Sequence, residues 1–228
     1  MVLLAGPSGS GKTSLTRRVG LPVLALDDFY RDMPDATRTP SPAAIKESAP
    51  TVPAAIKESA PAEDEPPMPR RFGIVDWDDP ASWRAGDALA TVVRLCTDGA
   101  ADVPVYDIPT SRRTGTVRFD LGGAPVFVAE GIFAAELVHG AREAGVLADA
   151  LCLRLHPAVT FGRRLLRDLA ESRKPPLTLV RRGMALARAE PALVQRWTAL
   201  GCRACSIPEA EAELRTLAAG ATGRRGTA

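Results

Sequence analysis

Residues 6–13 read Gly-Pro-Ser-Gly-Ser-Gly-Lys-Thr, the pattern GxxxxGK[ST]. Glycines at these places let the backbone wrap tightly, so that successive N–H groups point inward at phosphate oxygens. A helix that begins where the loop ends adds its positive pole. In such a loop Lys12 reaches the β and γ phosphates and the Thr13 hydroxyl ligates Mg²⁺. The expected triphosphate-binding residues are therefore Gly6, Ser8, Gly9, Ser10, Gly11, Lys12, Thr13 and Ser14. The run "VLLA" before the loop reads as a strand, and "TSLTRRV" after it as a short helix closed by Gly20.

Three further stretches carry charge suited to the same chemistry. "LALDDFYRD" (24–32) is an apolar strand ending in Asp27 and Asp28. Ligands of open α/β sheets sit beyond the carboxyl ends of strands. Asp27 there can orient an alcohol and accept its proton during phosphoryl transfer, whereas Asp28 reads as a helix cap or a contact to metal-bound water. "PVFVAEGIF" (125–133) ends a second apolar strand in Glu130, the expected holder of Mg²⁺ or its water. "TFGRRLLRDLAESRKPPLTLVRRG" (160–183) is strongly basic. Arg163 and Arg167 are one helical turn apart and share a face. They read either as part of an arginine-bearing lid over a triphosphate or as a solvated face. An arginine at the transferring phosphoryl group is worth about 10³–10⁵ in rate.

The elements that must position these groups alternate. Strands are expected at 2–5, 22–26, 125–131, 149–155 and 203–207, and helices at 80–98, 133–147, 157–171, 179–200 and 208–219. The strands are apolar nearly throughout, as strands covered on both faces are. The expected class is α/β, a P-loop NTPase fold with a mostly parallel sheet. The 228 residues suggest a single domain. Within it, 34–71 stands apart. It is rich in Pro, Ala, Lys and Glu and repeats "PAAIKESAP" at 42–50 and 53–61, and it reads as a mobile insertion with too little apolar surface to order itself. Residues 172–183 read as the lid and 220–228 as a loose tail.

The net charge of +2 gives no reason to expect nucleic acid or a membrane as partner. No apolar run approaches the roughly 20 residues of a membrane helix. "MVLLAG" lacks the basic leader of a secretion signal, so a cytoplasmic location is expected. Cys202 and Cys205 form a lone CxxC that reads as small buried residues rather than a zinc or redox site. Self-association stays open.

In this order, "GPSGSGKTS", "LDDFY", "WDDPASW", "VPVYDIPTSRR", "FVAEGIF", "RRLLRD" and "EPALVQRW…CRACSIP" resemble the uridine kinase family of P-loop nucleoside kinases. The resemblance implies a five-stranded sheet with a β-hairpin beside the acceptor site, formed by "VPVYD" and "TVRFD" around "IPTSRRTG", and a basic lid. It also implies Asp27 as base for a sugar 5′-hydroxyl, Asp78 on the ribose hydroxyls and Tyr106 against the nucleobase. Arg113 would help hold the acceptor, Thr13 and Glu130 would manage Mg²⁺, and Arg163 and Arg167 would precede the lid. The implied activity is transfer from ATP or GTP to a nucleoside. Ser111 stands where the family carries a base-contacting histidine, and Thr160 where it carries an arginine. Two other readings therefore stay open: another small-molecule alcohol as acceptor, and a nucleotide-binding regulator that docks a partner through 34–71.

Overall fold

The computed structural model describes residues 1–7, 9–33, 66–71, 74–155, 159, 160, 162, 188 and 190–225. The lid at 172–183 and most of the insertion, 34–65, lie outside them, as do Ser8, Arg163 and Arg167.

Five parallel strands form the central sheet in the order β2-β7-β1-β8-β9. They are β1 (Val2–Ala5), β2 (Val23–Ala25), β7 (Val128–Gly131), β8 (Asp149–Leu153) and β9 (Arg203–Cys205). β1 is central and every residue in it is buried. Successive side chains of a strand point to opposite faces, and here they feed two cores. Leu3 and Ala5 pack with Leu24, Phe127, Phe133 and Trp197 on one side. Val2 and Leu4 pack with Leu15, Val128, Leu151 and Leu214 on the other. Helix α1 (Lys12–Val19) and the last helix, α5 (Ile207–Arg225), contribute Leu15 and Leu214 to the second core. Helices α2 (Ala85–Asp98), α3 (Val138–Glu143) and α4 (190–199) cover the first through Val92, Val138 and Trp197. Apolar cover on both faces is why the strands lack an alternating polar pattern.

Register sets what meets at the carboxyl edge. Leu4 lies beside Glu130, Ala5 beside Gly131, and Ala25 beside Glu130 from the other side. The loops that follow β1, β2 and β7 therefore open onto one place. Two small antiparallel ribbons stand beyond the sheet: β3 (Arg70–Arg71) with β4 (Ile74–Val75), and a long hairpin of β5 (Ala100–Asp107) and β6 (Arg112–Asp120). The hairpin turn is tighter than the 108–115 loop expected. Asp107 Oδ2 accepts from Thr110 Oγ1 at 2.6 Å and from Thr110 N at 3.1 Å, closing the chain at 108–111.

Other boundaries also differ. The helix expected from residue 80 begins at Ala85. Pro80–Ser82 form a separate 3₁₀ turn capped by Asp79, whose Oδ1 accepts from Ala81 N at 2.8 Å, and Trp83 then runs extended to bridge Tyr30. The helix expected at 133–147 divides into a 3₁₀ turn, Ala134–Leu137, and α3, and Gly145 follows in a left-handed conformation. α5 opens on a capping box, Ser206 N to Glu209 Oε2 at 2.7 Å and Glu209 N to Ser206 Oγ at 3.4 Å. It runs to Arg225, past the end at 219 expected for this helix. No helix among the described residues is long and apolar enough to cross a membrane.

Trp83 ties the end of β2 to the start of α2. Its indole Nε1 donates to the Leu26 carbonyl at 2.7 Å, and its ring packs 5.4 Å from that of Phe133. Trp83→Phe keeps an aromatic there but loses the hydrogen bond and some volume. Chemical denaturation is expected to show a loss of about 1–3 kcal/mol; unchanged stability would show that the bond does not hold this corner.

Candidate functional site

The loop between β1 and α1 has alternating backbone handedness, with Gly9 at φ 79° and Gly11 at φ 91°. Such positive φ values suit glycine, and the alternation turns neighbouring amides into one concavity. Gly6 is needed for space. A Cβ there would lie 2.8 Å from Ser10 Oγ and 3.3 Å from the Lys12 side chain. Lys12 folds over the loop, its Nζ donating to Gly6 O at 2.9 Å and Pro7 O at 3.4 Å. The same Nζ stands 3.8 Å from Glu130 Oε2, and Thr13 Oγ1 donates to Glu130 Oε1 at 3.1 Å. Strand pairing, not sequence proximity, brings Glu130 to the loop.

A cavity of about 970 Å³ opens here. Gly9, Gly11, Lys12, Thr13, Ser14 and Glu130 line it, and so do Asp27, Asp78 and Tyr106. The expected phosphate, metal, base and acceptor residues thus share one space, apart from Gly6, Ser10, Arg113 and those outside the described residues. The Arg113 guanidinium turns away from the cavity to within 3.7 Å of Asp87 on α2, while its backbone N–H donates to Asp32 Oδ1 at 2.6 Å. These two contacts fasten the hairpin to α2 and to the 28–33 segment.

Asp27 faces the cavity and is solvent-accessible, yet it sits deep among protein atoms. That partial desolvation raises its carboxyl above the ordinary 3.8, against the pull of the Lys12 charge and the Ile132 backbone N–H. Glu130 is raised for the same reason, again opposed by Lys12 and by the Thr13 hydroxyl. Gly131 makes the approach possible. A Cβ on it would stand 3.0 Å from Leu26 Cβ and 3.1 Å from Asp27 Oδ1.

The far wall is aromatic. Tyr30 meets Trp77 edge-on at 5.5 Å and Tyr106 at 5.8 Å, and Trp77 lies 6.5 Å from Tyr106. Burial pushes the Tyr106 phenol up to about 12, and its O–H donates to Arg31 O at 3.2 Å. Asp28 Oδ1 accepts from Tyr106 N at 3.4 Å, a contact between the end of β2 and the hairpin. Met33 N donates to Ser111 O at 2.9 Å, so the hairpin is strapped along 28–33. Tyr30 and Trp77 went unassigned in the sequence, although Tyr30 closes "DDFY" and Trp77 opens "WDDP". Cys202 and Cys205 are buried free thiols pushed up to about 12 and 11, which leaves them poor nucleophiles.

No family model matches the chain. In fold it is similar to a candidate fructose transport system kinase from Silicibacter sp. TM1040, with a TM-score of 0.53 and 19% identity over 84% of each chain. In sequence it is similar to a uridine kinase from Deinococcus deserti, 31% identical over 194 residues that span 81% of this chain and 76% of that protein. With the phosphate loop, the strand order and that identity in agreement, the chain belongs to the uridine kinase family.

Proposed function

We propose that this chain transfers the γ-phosphoryl group of ATP or GTP to the 5′-hydroxyl of a nucleoside. The observation that carries this reading is the single cavity into which both the phosphate loop and Asp27 open, with Asp78 and the aromatic wall beside them. A pure nucleotide switch has no use for an acceptor chamber of that kind.

The loop suits a triphosphate. Ser10 Oγ is buried and has no hydrogen-bond partner among the described residues, a polar group that an anion in the loop would satisfy. Thr13 and Glu130 offer hard oxygen donors, and few of them, as suits Mg²⁺, which keeps most of its waters. Bound there, the ion would neutralise charge on the β and γ phosphates. Lys12 gives up its loop carbonyls to contact the transferring group. Asp27 orients the acceptor hydroxyl and takes its proton as the oxygen attacks. Asp78 holds the sugar hydroxyls, and Tyr30, Trp77 and Tyr106 flank the rest of the acceptor. Arg163 and Arg167 complete the charge stabilisation in this proposal. Most of the acceleration comes from holding donor and acceptor in line within a preorganised field.

A second reading rests on Ser111. It lines the acceptor end at the tip of the hairpin, with φ 53°, where the family resemblance expects histidine. A short hydroxyl there leaves room for an alcohol other than a pyrimidine nucleoside. A panel of nucleosides, sugars and other alcohols with labelled ATP separates the two: uridine and cytidine both inert, with another alcohol labelled, selects the second.

Asp27→Asn is expected to keep nucleotide binding and lose about 10²–10⁴-fold in turnover; turnover at the wild-type rate would take Asp27 out of the reaction. Asp27 works only when ionised, and its carboxyl is held above 3.8. Turnover should therefore fall, as pH is lowered, at a higher pH than an ordinary aspartate gives, and Asn at this position should flatten that limb of the rate profile. Lys12→Ala should weaken both triphosphate binding and turnover, which calorimetry and a coupled assay measure. Gly131→Ala should slow turnover by displacing Asp27 while leaving triphosphate affinity near wild type; an equal fall in both would place the damage in the loop.

A further inference from the structure

Arg31 is buried, at 7% exposure, and does not line the cavity, yet its bonds run to the pieces of chain that do. Its guanidinium Nη1 donates to Ala81 O at 2.8 Å, and its backbone N–H donates to Ser82 O at 2.9 Å. Nη2 donates to Pro66 O at 2.5 Å, on the chain that leads into β3. The Arg31 carbonyl accepts from the Tyr106 O–H at 3.2 Å. A cation is kept out of water only where strong acceptors replace its hydration, and here main-chain carbonyls do so.

What those carbonyls belong to gives the residue its task. The 77–82 turn is tied into one piece. Ser82 Oγ donates to Asp79 O at 2.7 Å and to Trp77 O at 3.3 Å, and Ala81 N donates to Asp79 Oδ1 at 2.8 Å. Trp77 and Asp78, which line the cavity, ride on this piece. Arg31 grips it from one side and holds Tyr106 of the hairpin from the other. It also follows Asp27 closely in sequence, so both walls are referred to the end of β2. None of these bonds reaches the phosphate loop, and Asp27 has a separate anchor in the Ile132 backbone N–H.

We propose that Arg31 is a positioning residue for the acceptor: it sets the Trp77–Asp78 wall and the Tyr106 wall at fixed places relative to Asp27. This rests on the acceptor reading of the cavity. The role needs a guanidinium. Its planar fork donates in diverging directions, to Ala81 and Pro66 at once, whereas a lysine ammonium at the end of a single stem does not span the two.

The test compares wild type, Arg31→Lys and Tyr106→Phe in steady-state kinetics with MgATP and an acceptor, uridine or whichever alcohol wild type labels fastest. Arg31→Lys is expected to raise the acceptor KM about 10–100-fold. The MgATP KM and the turnover at saturating acceptor should stay near wild type, because the loss falls on acceptor binding alone. Tyr106→Phe loses the bond to the Arg31 carbonyl and should raise the same KM by a smaller factor. An unchanged acceptor KM in Arg31→Lys would overturn the proposal, whatever its melting temperature. Equal losses for both substrates would overturn it too, since they mark general damage to the fold. If Arg31→Lys does not fold, Tyr106→Phe decides, and a wild-type acceptor KM there overturns the proposal. Wild type that labels no alcohol would remove the acceptor reading and this role with it, a result distinct from all the others.

Discussion

One ammonium group, Lys12 Nζ, serves two carboxylates, and the centre of the site depends on it. It lies 3.8 Å from Glu130, and its charge also pulls on Asp27. Both acids sit in a concavity that desolvates them and raises their pKa values. A carboxyl raised in the fold binds more protons there than in the unfolded chain. Its contribution to stability therefore falls as pH rises from the ordinary value through the raised one. This is opposite to the usual salt-bridged acid, which stabilises at neutral pH. The site spends stability to keep two anions and a cation in a small volume, a trade common where activity needs a strained arrangement.

That arrangement has no local cause in the chain. Lys12 and Asp27 follow β1 and β2 while Glu130 lies within β7, and only the pairing of β2 and β1 with β7 brings them together. A slip of one residue in a strand would turn its side chains to the other face. The two cores oppose any slip, because Leu3 and Leu4 are each fully buried on different sides of the sheet. Packing well away from the cavity thus sets the distances within it. The acceptor end has a separate anchorage. The hairpin lies outside the sheet and is held to 28–33 by Asp28, Asp32 and main-chain groups at Arg31 and Met33. The chain that carries Asp27 therefore also carries the hairpin, and Asp27 and the aromatic wall stay in register with each other.

These features differ in how far they could be read in advance. The phosphate loop, the α/β class and the five strands were legible because each is a local signal: glycine spacing, or an apolar run between turns. Glu130 was legible because it ends such a run. The start of α2 was missed because Asp79 caps a 3₁₀ turn of its own and Trp83 is recruited to Tyr30, a contact far away in sequence. The contact between Arg113 and Asp87 was not legible because the two lie far apart along the chain. The length of α5 was missed because "GATG" near its end reads as a stop, while the Ser206–Glu209 box and packing through Ala210 and Leu214 secure its start. The failures share a type: side chains whose partners are set by tertiary contact.

The sheet order also separates tasks. With β1 in the middle, the phosphate loop lies between Asp27 beyond β2 on one side and β8 and β9 on the other. Changes at the hairpin, such as serine at 111, alter one end of the cavity without touching the loop that grips phosphate. A family built on this plan can exchange acceptors while keeping its donor machinery, since no residue strapping the hairpin to 28–33 belongs to the phosphate loop. The same separation explains how this chain retains an intact phosphate loop beside an altered acceptor end. In the proposed reaction the loop must satisfy one unchanging triphosphate, whereas the hairpin need only match whatever alcohol is brought before Asp27.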